Sequence, residues 1–278
     1  MELYNQISFK TSQLITKAYS TSFSLAVGFL PKDIREAIYS IYGFVRLADE
    51  IVDTFHHIDQ KVTIEKFEQD YYLAMEQGIS MNPVLHAFAI TVKKYNLKPE
   101  HIKAFLSSMK SDLNVTVYDT DDELDNYIYG SADVVGLMCL MVFVNGDIKT
   151  YSELELSAMK LGSAFQKINF LRDLKADIEG LNRSYFPNFK IQNFDKKLKN
   201  ELINDIDLDF EVARTGIKNL PGKTKLAVYI AFIYYKKLLN YLQKTPAEKI
   251  MQKRIRVSNT MKFILIGKAY LHYYLRLI

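Results

Sequence analysis

The sequence predicts an all-α protein, and three properties of the chain support this fold class. Only 11 of its 278 residues are glycine and 6 are proline, the two residue types that most disfavour the interior of a helix. Hydrophobic residues make up 49% of the chain, which is ample for a substantial core. A segment from about residue 32 to about residue 55 repeats apolar side chains at helical spacing. No shift in composition and no long linker interrupts the chain, so residues 1–278 are predicted to form a single domain.

The first half of the chain divides into helices at glycine, proline and capping residues. The first helix is expected to end near Gly28, and Pro31 opens the next one. The acids of the stretch 119–123 suit the start of a strongly apolar helix, which Asn145 and Gly146 would end. The helices expected in this half span about residues 8–28, 32–55, 61–77, 83–95, 99–118 and 123–144.

The second half is predicted to begin with a long helix from about Ser152, which Glu179 and Gly180 would end or loosen. A loop is expected to follow at about residues 182–187. Three further helices are expected at about residues 198–217, 222–243 and 247–276.

The charge balance and the single cysteine narrow the functional classes. The net charge is only +4 and the basic residues are mostly scattered among acids, so the sequence does not indicate a nucleic-acid-binding surface. Cys139 lies in an apolar run, so we expect a buried thiol, and with no second cysteine a reducing compartment fits. The first residues lack a signal-peptide pattern, and no apolar run reaches the ~18 residues of a spanning helix. A cytoplasmic protein is therefore expected, and the basic, tyrosine-rich last segment leaves peripheral contact with the inner membrane face open.

One stripe of polar side chains adjoins the apolar stripe of the segment 32–55. It consists of Tyr42, Arg46, Asp49 and Asp53, which recur at helical spacing. The neighbouring positions of the helix carry little else that is polar, which argues against a simple solvated face. A polar stripe beside a core stripe is typical of a helix that lines a wet cavity.

A second stripe follows in the long helix, at Gln166, Asn169, Asp173 and Asp177. In each stripe two aspartates are four residues apart, which places both carboxylates on one helix face about 6 Å apart along the axis. Like charges in this arrangement repel unless a cation lies between them. Because Mg²⁺ takes oxygen ligands and commonly shares a substrate phosphate, the two stripes predict a Mg²⁺-bridged diphosphate site, with Mn²⁺ as an alternative metal.

Three arginines accompany these acids. Arg46 and Arg172 could equally pair with acids of their own helix, for instance Arg46 with Glu50, or contact phosphate directly, and the sequence leaves both roles open. Arg183 follows on the loop after the second stripe, and we expect it to contact phosphate.

At these residues the chain resembles the squalene/phytoene synthase family. The first stripe fits an Asp-x-x-x-Asp motif with a preceding Arg, and the second fits Gln-x-x-Asn-x-x-Arg-Asp-x-x-x-Asp. The segment Arg183-Ser-Tyr185-Phe-Pro and the early Ser-x-Ser-Phe also match the family pattern. Each motif is weak alone, but their order and spacing from about Tyr19 to Ser258 are specific.

The resemblance implies an isoprenoid-synthase helical bundle around a central cavity, which joins two prenyl diphosphates head to head with the help of Mg²⁺. The implied catalytic residues are Asp49, Asp53, Asp173, Asp177 and Tyr129, and the four aspartates would hold metal together with Asn169. The expected substrate contacts are Ser20, Ser22, Phe23, Tyr42, Arg46, Gln166, Asn169, Arg172, Arg183, Tyr185, Tyr234 and Arg254.

The chain departs from the family pattern at three positions. Tyr19 replaces a common histidine, so it can donate a hydrogen bond to phosphate but brings no positive charge. Asp133 replaces a glycine and could bind metal, bind water or cap a kink. Glu50 stands where many members have a second aspartate.

Three features favour phytoene as the product, made from two geranylgeranyl diphosphates in carotenoid biosynthesis. The runs Gly136-Leu-Met138 and Arg254-Ile-Arg-Val-Ser258 resemble those of phytoene synthases. Val27 and Gly28 are small and are expected along the cavity wall, where they would leave length for a C20 tail. No Gly-x-Gly-x-x-Gly fingerprint is present, so NADPH is not expected.

Other functions remain alternatives. A squalene or dehydrosqualene synthase would use farnesyl diphosphate with the same motifs. A head-to-tail elongase or a terpene cyclase would show different acidic motifs. A non-catalytic relative acting as an assembly or scaffold protein would be expected to lose some of the four aspartates.

Overall fold

The computed structural model describes residues 1–181, 183–187 and 194–278, and these residues form an all-α structure. In this described part the only β pairing is an isolated bridge between Val117 and Ser184. The predicted fold class is confirmed. The helices are α1 (Glu2–Tyr19), α2 (Thr21–Val27), α3 (Lys32–Asp53), α4 (Gln60–Gln77), α5 (Pro83–Tyr95), α6 (Pro99–Ser111), α7 (Asp121–Ile128), a π-helical turn (Tyr129–Asp133), α8 (Val134–Phe143), α9 (Ile148–Leu181), α10 (Lys196–Ile217), α11 (Gly222–Lys244), α12 (Ala247–Ile250) and α13 (Asn259–Tyr274).

The single first helix predicted at 8–28 is wrong, because the chain forms two helices that meet at Ser20. Ser20 has an extended backbone and its hydroxyl accepts a hydrogen bond from the Phe23 amide at 3.4 Å, which starts α2. A serine oxygen at this position satisfies an amide that would otherwise lack a partner, so the helix restarts here.

The middle of the chain shows two further differences from the prediction. The helix expected at 99–118 ends at Ser111. Thr120 then caps α7 as predicted for the acidic stretch, in a reciprocal capping box with Glu123. The helix expected at 123–144 is interrupted by the π-helical turn, whose wider hydrogen bonding inserts an extra residue and rotates the following side chains.

The stretch Asp121–Phe143 is the one helical segment of the described residues that is long and apolar enough to cross a membrane by length and composition. Of its most apolar window, 56% is buried inside the protein. Packing in the core is therefore sufficient to explain its composition.

The last predicted helix, at 247–276, is also wrong, because α12 and α13 are separate. Ser258 caps α13 by accepting a hydrogen bond from the Met261 amide at 3.3 Å, and the residues before it are not helical. As predicted, α9 ends beside Glu179 and Gly180, at Leu181.

The core consists of two apolar clusters. In the first, Phe44 of α3 stacks on Phe88 of α5 with ring centroids 4.0 Å apart, among side chains of α3 to α6 and α8. In the second, Phe210 of α10 meets Phe232 of α11 edge to face at 5.3 Å, among side chains of α9 to α11 and α13. Both clusters contribute walls to a central cavity, which lies between them.

Two glycines let the walls of this cavity approach closely. A Cβ added at Gly136 of α8 would lie 2.8 Å from the carbonyl oxygen of Ala158 in α9. A Cβ added at Gly162 of α9 would lie 2.8 Å from the carbonyl oxygen of Ala132 in the π-helical turn. Both distances are too short for a side chain, so glycine is required for this helix contact.

Candidate active site

The central cavity has a volume of about 340 Å³ and is lined mainly by apolar side chains. Its lining on α9 extends from Leu154 to Asn169, which corresponds to about 22 Å along the helix axis. Several of the lining residues are glycine, alanine or serine. The lining helices are α2, α3, α8, α9, α10 and α11, together with the π-helical turn.

Two aromatic pairs line the cavity. Phe23 of α2 stacks on Tyr42 of α3 with ring centroids 5.1 Å apart. Phe165 of α9 stacks on Tyr235 of α11 at 3.9 Å. Aromatic faces are negative at their centres, so these pairs can stabilise a positive charge within an apolar space.

The first acidic stripe lies on the last turns of α3. Arg46 pairs there with both Asp49 and Glu50, and its guanidinium lies over the Tyr19 ring, 4.2 Å from the centroid. The ion pair considered from the sequence is therefore formed. The buried Nε of Arg46 has no hydrogen-bond partner, so this donor remains available to an anionic ligand.

The second stripe lies on α9, where two arginines contact Asp173. The Nε of Arg172 donates to Asp173 Oδ1 at 3.0 Å. The Nε of Arg254, from the segment between α12 and α13, lies 2.7 Å from the same oxygen. The structure thus brings Arg254 to the acids, although it is 81 residues away in sequence.

Arg183 connects the two stripes. Its Nη1 donates to Asp53 Oδ1 at 2.8 Å, and its Nη2 donates to the backbone carbonyl of Asp112 at 2.9 Å. Tyr185 stacks on Phe170 at 3.8 Å and places its hydroxyl 3.5 Å from Arg183. Tyr185 therefore positions Arg183 in this structure.

Burial, together with the crowding of carboxyls at this end of the cavity, raises their pKa values. Burial, with the neighbouring Asp53 charge, raises the pKa of Asp49 to about 7 in spite of Arg46. Burial and the charges of Asp173 and Asp53 raise the pKa of Asp177 to about 7. Burial likewise raises the pKa of Asp112 to about 7, against the influence of Arg183. Several carboxylates therefore lie close enough to repel one another when they are ionised, which favours binding of a cation between them.

The carboxylate oxygens at this end of the cavity suit a metal ion that is shared with a substrate. No group of three His, Cys, Asp or Glu side chains within the described ranges is close enough to hold a metal ion by itself. Asp53 and Asp177, from α3 and α9, are nonetheless close enough to affect one another electrostatically. Mg²⁺ usually takes one or two carboxylates and completes its shell with water and phosphate, so paired acids on facing helices fit it.

Most of the other predicted substrate contacts also gather at this end. Phe23, Tyr42, Gln166 and Asn169 line the cavity. Ser20 caps α2 beside them, and Ser22, two residues further along the chain, is half-buried.

Like Tyr185, the predicted tyrosines Tyr129 and Tyr234 lie outside the cavity lining. Tyr129, expected to be catalytic, is 37% exposed. The charges that act on its hydroxyl belong to Glu155, Glu100 and Asp133, none of which is among the paired acids. Tyr234 lies beside Arg172, with Lys262 5.9 Å from its ring centroid, near the acids and not in the cavity wall.

The sequence analysis missed Tyr235 and Asp112. Tyr235 lines the cavity and donates a hydrogen bond to Asn169 Oδ1 at 3.4 Å. The Oδ2 atom of Asp112 accepts a hydrogen bond from Tyr127 at 3.1 Å, and its buried Oδ1 has no partner. The sequence has tyrosine at both 234 and 235, but helical periodicity alone does not show which of the two faces the cavity.

Asp133, Gly28 and Cys139 also have defined positions. Asp133 is buried at the end of the π-helical turn, where it accepts a hydrogen bond from Ser163 Oγ at 2.7 Å. Its side chain makes no capping hydrogen bond to the start of α8, so it connects the π-helical turn to α9 and does not cap the kink. Gly28 is exposed and does not line the cavity, whereas Val27 does.

Cys139 lines the cavity. Burial raises the pKa of its thiol to about 12, as expected for an unreactive cysteine.

Comparison with known families identifies the family of the chain. The family model described as squalene/phytoene synthase matches residues 16–261 of the chain. This chain belongs to the squalene/phytoene synthase family. The resemblance inferred from the motifs is confirmed, and the relatives of this squalene/phytoene synthase family member are prenyltransferase-type synthases.

Individual relatives carry different product names. The chain is 26% identical to a 4,4'-diapophytoene synthase of Staphylococcus haemolyticus over 69% of its own length and 66% of that protein. It is also 26% identical to a phytoene synthase of Arthrospira platensis, over 88% of its length and 87% of the relative. The fold matches a crystal structure of a dehydrosqualene synthase in complex with a ligand with a TM-score of 0.84, at 22% identity and 97% and 98% coverage of the two chains.

Proposed function

We propose that this family member joins two geranylgeranyl diphosphates head to head to give phytoene, through a cyclopropyl diphosphate. The observation that carries the proposal is an apolar cavity bordered by two facing pairs of aspartates, Asp49 with Asp53 and Asp173 with Asp177. A site with charge at one end and an apolar wall elsewhere matches a substrate with a diphosphate head and a hydrocarbon tail.

The four aspartates are proposed to hold Mg²⁺, or Mn²⁺ in its place, with Asn169 as a further oxygen ligand. Bound Mg²⁺ would neutralise the diphosphate and make it a better leaving group. Asn169 accepts a hydrogen bond from Tyr235, which orients its amide oxygen. The acids on α3 and α9 thus fix the diphosphate at one end of the cavity and direct the prenyl tail along it.

The arginines are proposed to exchange partners when substrate binds. Arg46, Arg172 and Arg254 are now paired with Asp49 or Asp173. With a metal held by these aspartates, the guanidinium groups of Arg172 and Arg254, and the Arg46 nitrogens not paired with Glu50, would be available to donate to diphosphate oxygens. Arg183 would remain between the two helices, held by the Asp112 carbonyl.

The cavity wall is proposed to protect the allylic cation that forms when diphosphate leaves. The pairs Phe23–Tyr42 and Phe165–Tyr235 present aromatic faces, and the remaining lining offers few polar atoms that could capture the cation. Exclusion of water and stabilisation by aromatic rings are both needed for a carbocation to react with a second prenyl chain.

The length of the cavity supports a C20 substrate over a C15 one. Its lining continues on α9 for about 22 Å beyond the region of Asn169, and Val27 on the opposite wall leaves room for the tail. A farnesyl-using squalene or dehydrosqualene synthase is the alternative, since relatives with both types of product are similar to the chain. NADPH is not required for phytoene. A non-catalytic scaffold role is less favoured, because all four aspartates are present and grouped.

The test is product analysis. Purified protein is incubated with labelled geranylgeranyl or farnesyl diphosphate and Mg²⁺, without NADPH, and the hydrocarbon is identified by mass spectrometry. A C40 hydrocarbon from the geranylgeranyl substrate is expected. A C30 hydrocarbon from farnesyl diphosphate alone would establish the alternative, and a C15 or C20 cyclic product would contradict head-to-head joining.

We also propose that the protein acts in the cytoplasm and contacts the inner face of the membrane peripherally. A water-insoluble hydrocarbon product supports this location. Neither the scattered charges nor the site suggests a nucleic-acid partner.

A further inference from the structure

The last helix, α13, carries an apolar stripe on its outer surface. Phe263, Ile264 and Leu271 are 64%, 57% and 58% exposed. With Tyr274 and Leu275 they recur at helical spacing, so they share one face. Each of these five side chains is more than half exposed. A contiguous apolar surface of this kind usually marks an interaction site.

The opposite face of α13 already has a partner within the protein. Leu265 and Ala269 are buried, and His272 Nδ1 lies 2.8 Å from the Tyr229 hydroxyl of α11. At the border between this face and the outer stripe, Tyr270 meets Phe29 edge to face at 5.4 Å. The helix is therefore fully docked on its inner side, and its apolar outer stripe is not needed for folding against α11.

The charge of the surrounding segment is strongly one-sided. Residues 249–278 contain no aspartate or glutamate. Their basic residues are Lys249, Lys253, Arg254, Arg256, Lys262, Lys268 and Arg276. Lys268 lies within the apolar stripe itself and is exposed. A helix face that combines apolar side chains with lysine and tyrosine is typical of an element that lies in a membrane interface.

We propose that the outer face of α13 docks onto an anionic lipid surface. Phe263, Ile264 and Leu271 would enter the headgroup region, while Lys268 and the neighbouring basic residues contact acidic headgroups. This identifies the surface and the lipid charge for the membrane contact proposed above, and it rests on that proposed location.

A second copy of the chain fits this face less well. A symmetric dimer brings the same patch of both subunits together. Here that contact would place an acid-free, basic segment against itself, and the like charges would repel. An anionic bilayer offers the opposite charge together with an apolar interior, so charge complementarity favours lipid.

The position of α13 connects this surface to the cavity. Lys262 Nζ lies 3.3 Å from Thr21 Oγ1 of α2, and α13 packs on α11. Both α2 and α11 have inner faces that line the cavity. Docking through α13 would therefore bring these two cavity walls close to the lipid.

The test is sedimentation of the full-length protein with vesicles. One set contains phosphatidylcholine only and a second contains phosphatidylglycerol in addition, each at low and high salt. We expect binding to the anionic vesicles, weakened by salt. The triple variant Phe263→Ser, Ile264→Ser, Leu271→Ser and the single variant Lys268→Gln should each lower this binding, the triple variant by about tenfold or more.

A matched control carries Leu156→Ser and Leu208→Ser, which replace leucines that are 61% and 68% exposed on α9 and α10. This control should bind vesicles like the unmodified protein. Equal binding by the triple variant, no binding to anionic vesicles, or equal binding to both lipid compositions would each overturn the proposal. A dimer that the triple variant converts to a monomer, without vesicle binding, would overturn it in favour of a second copy. Product formation in detergent, measured on the same samples, tests the reaction separately.

Discussion

Arg183 lies between the two acid-bearing helices and donates a hydrogen bond to Asp53 at 2.8 Å. Its other guanidinium nitrogen donates to the Asp112 carbonyl at 2.9 Å, so one buried side chain holds the end of α3, the end of α6 and the segment after α9 together. The same contact keeps a positive charge among the carboxyls. Structural and electrostatic roles are therefore combined at this residue.

Replacing Arg183 should destabilise the protein as well as inactivate it. In Arg183→Gln the half-buried Asp53 and the Asp112 carbonyl lose their charged partner, which should lower the free energy of unfolding by about 2 kcal/mol. Urea denaturation measures this change. Arg256→Gln, at an exposed arginine, should change stability little. An Arg183→Gln protein as stable as the unmodified one would contradict the role described here.

Asp173 should matter for turnover more than for folding. Asp173→Asn removes a metal ligand under the proposed function, and turnover should fall by about a thousandfold. The loss of its pairs with Arg172 and Arg254 is partly offset by less repulsion with Asp177, so the melting temperature should change little. Asp125→Asn, at an exposed acid of α7, is the control. Turnover like that of the unmodified protein would exclude Asp173 as a ligand.

Val27 should influence the length of the accepted substrate. Its side chain lines the cavity, so Val27→Phe would fill part of the space for the tail. Formation of a C40 product should fall by about tenfold or more, with a smaller effect on a C30 product from farnesyl diphosphate. Leu25→Phe on the exposed side of the same helix should affect neither. A C40 yield that is unchanged in Val27→Phe would argue against this path for the tail.

Asp133 should make stability depend on pH. Burial raises the pKa of its carboxyl to about 7, in spite of the hydrogen bond from Ser163, whereas the pKa is about 3.9 in an unfolded chain. The folded state therefore binds more protons between these values. Stability is fully present at low pH and falls as pH rises from about 4 towards 7, where the folded carboxyl ionises.

Asp133→Asn should remove that part of the pH dependence. The difference in unfolding free energy between pH 5 and pH 8 should shrink by about 1–3 kcal/mol relative to the unmodified protein. Asp49, Asp112 and Asp177 contribute with the same sign, so some dependence should remain. A variant with the same slope as the unmodified protein would show that Asp133 is not the titrating group.

The acid-bearing elements were predictable because their signals are local. Pro31 opens α3, and two aspartates four residues apart share a helix face wherever the helix is regular. The same reasoning placed the second pair on α9. Local patterns could not predict the partner of Arg254, because this residue reaches Asp173 only through tertiary packing.

Each error in the sequence-based prediction has a physical cause. Tyr129 begins the π-helical turn, where the 3.6-residue period used to assign faces no longer holds. Ser20 divides α1 from α2 because its hydroxyl caps the new helix, although the flanking sequence favours one continuous helix. Tyr234 and Tyr235 are adjacent, and only the packing of α11 on α9 determines that Tyr235 stacks on Phe165.

The most direct test of the metal-bridged site is a crystal structure with Mn²⁺ and an unreactive thio analogue of geranylgeranyl diphosphate. Anomalous scattering locates Mn²⁺ without reference to the protein coordinates. We predict Mn²⁺ peaks between the pairs Asp49–Asp53 and Asp173–Asp177, shared with the diphosphate, and the prenyl tail along the cavity. Aspartates still paired with their arginines, with no Mn²⁺ peak beside them and the analogue bound elsewhere, would contradict the account.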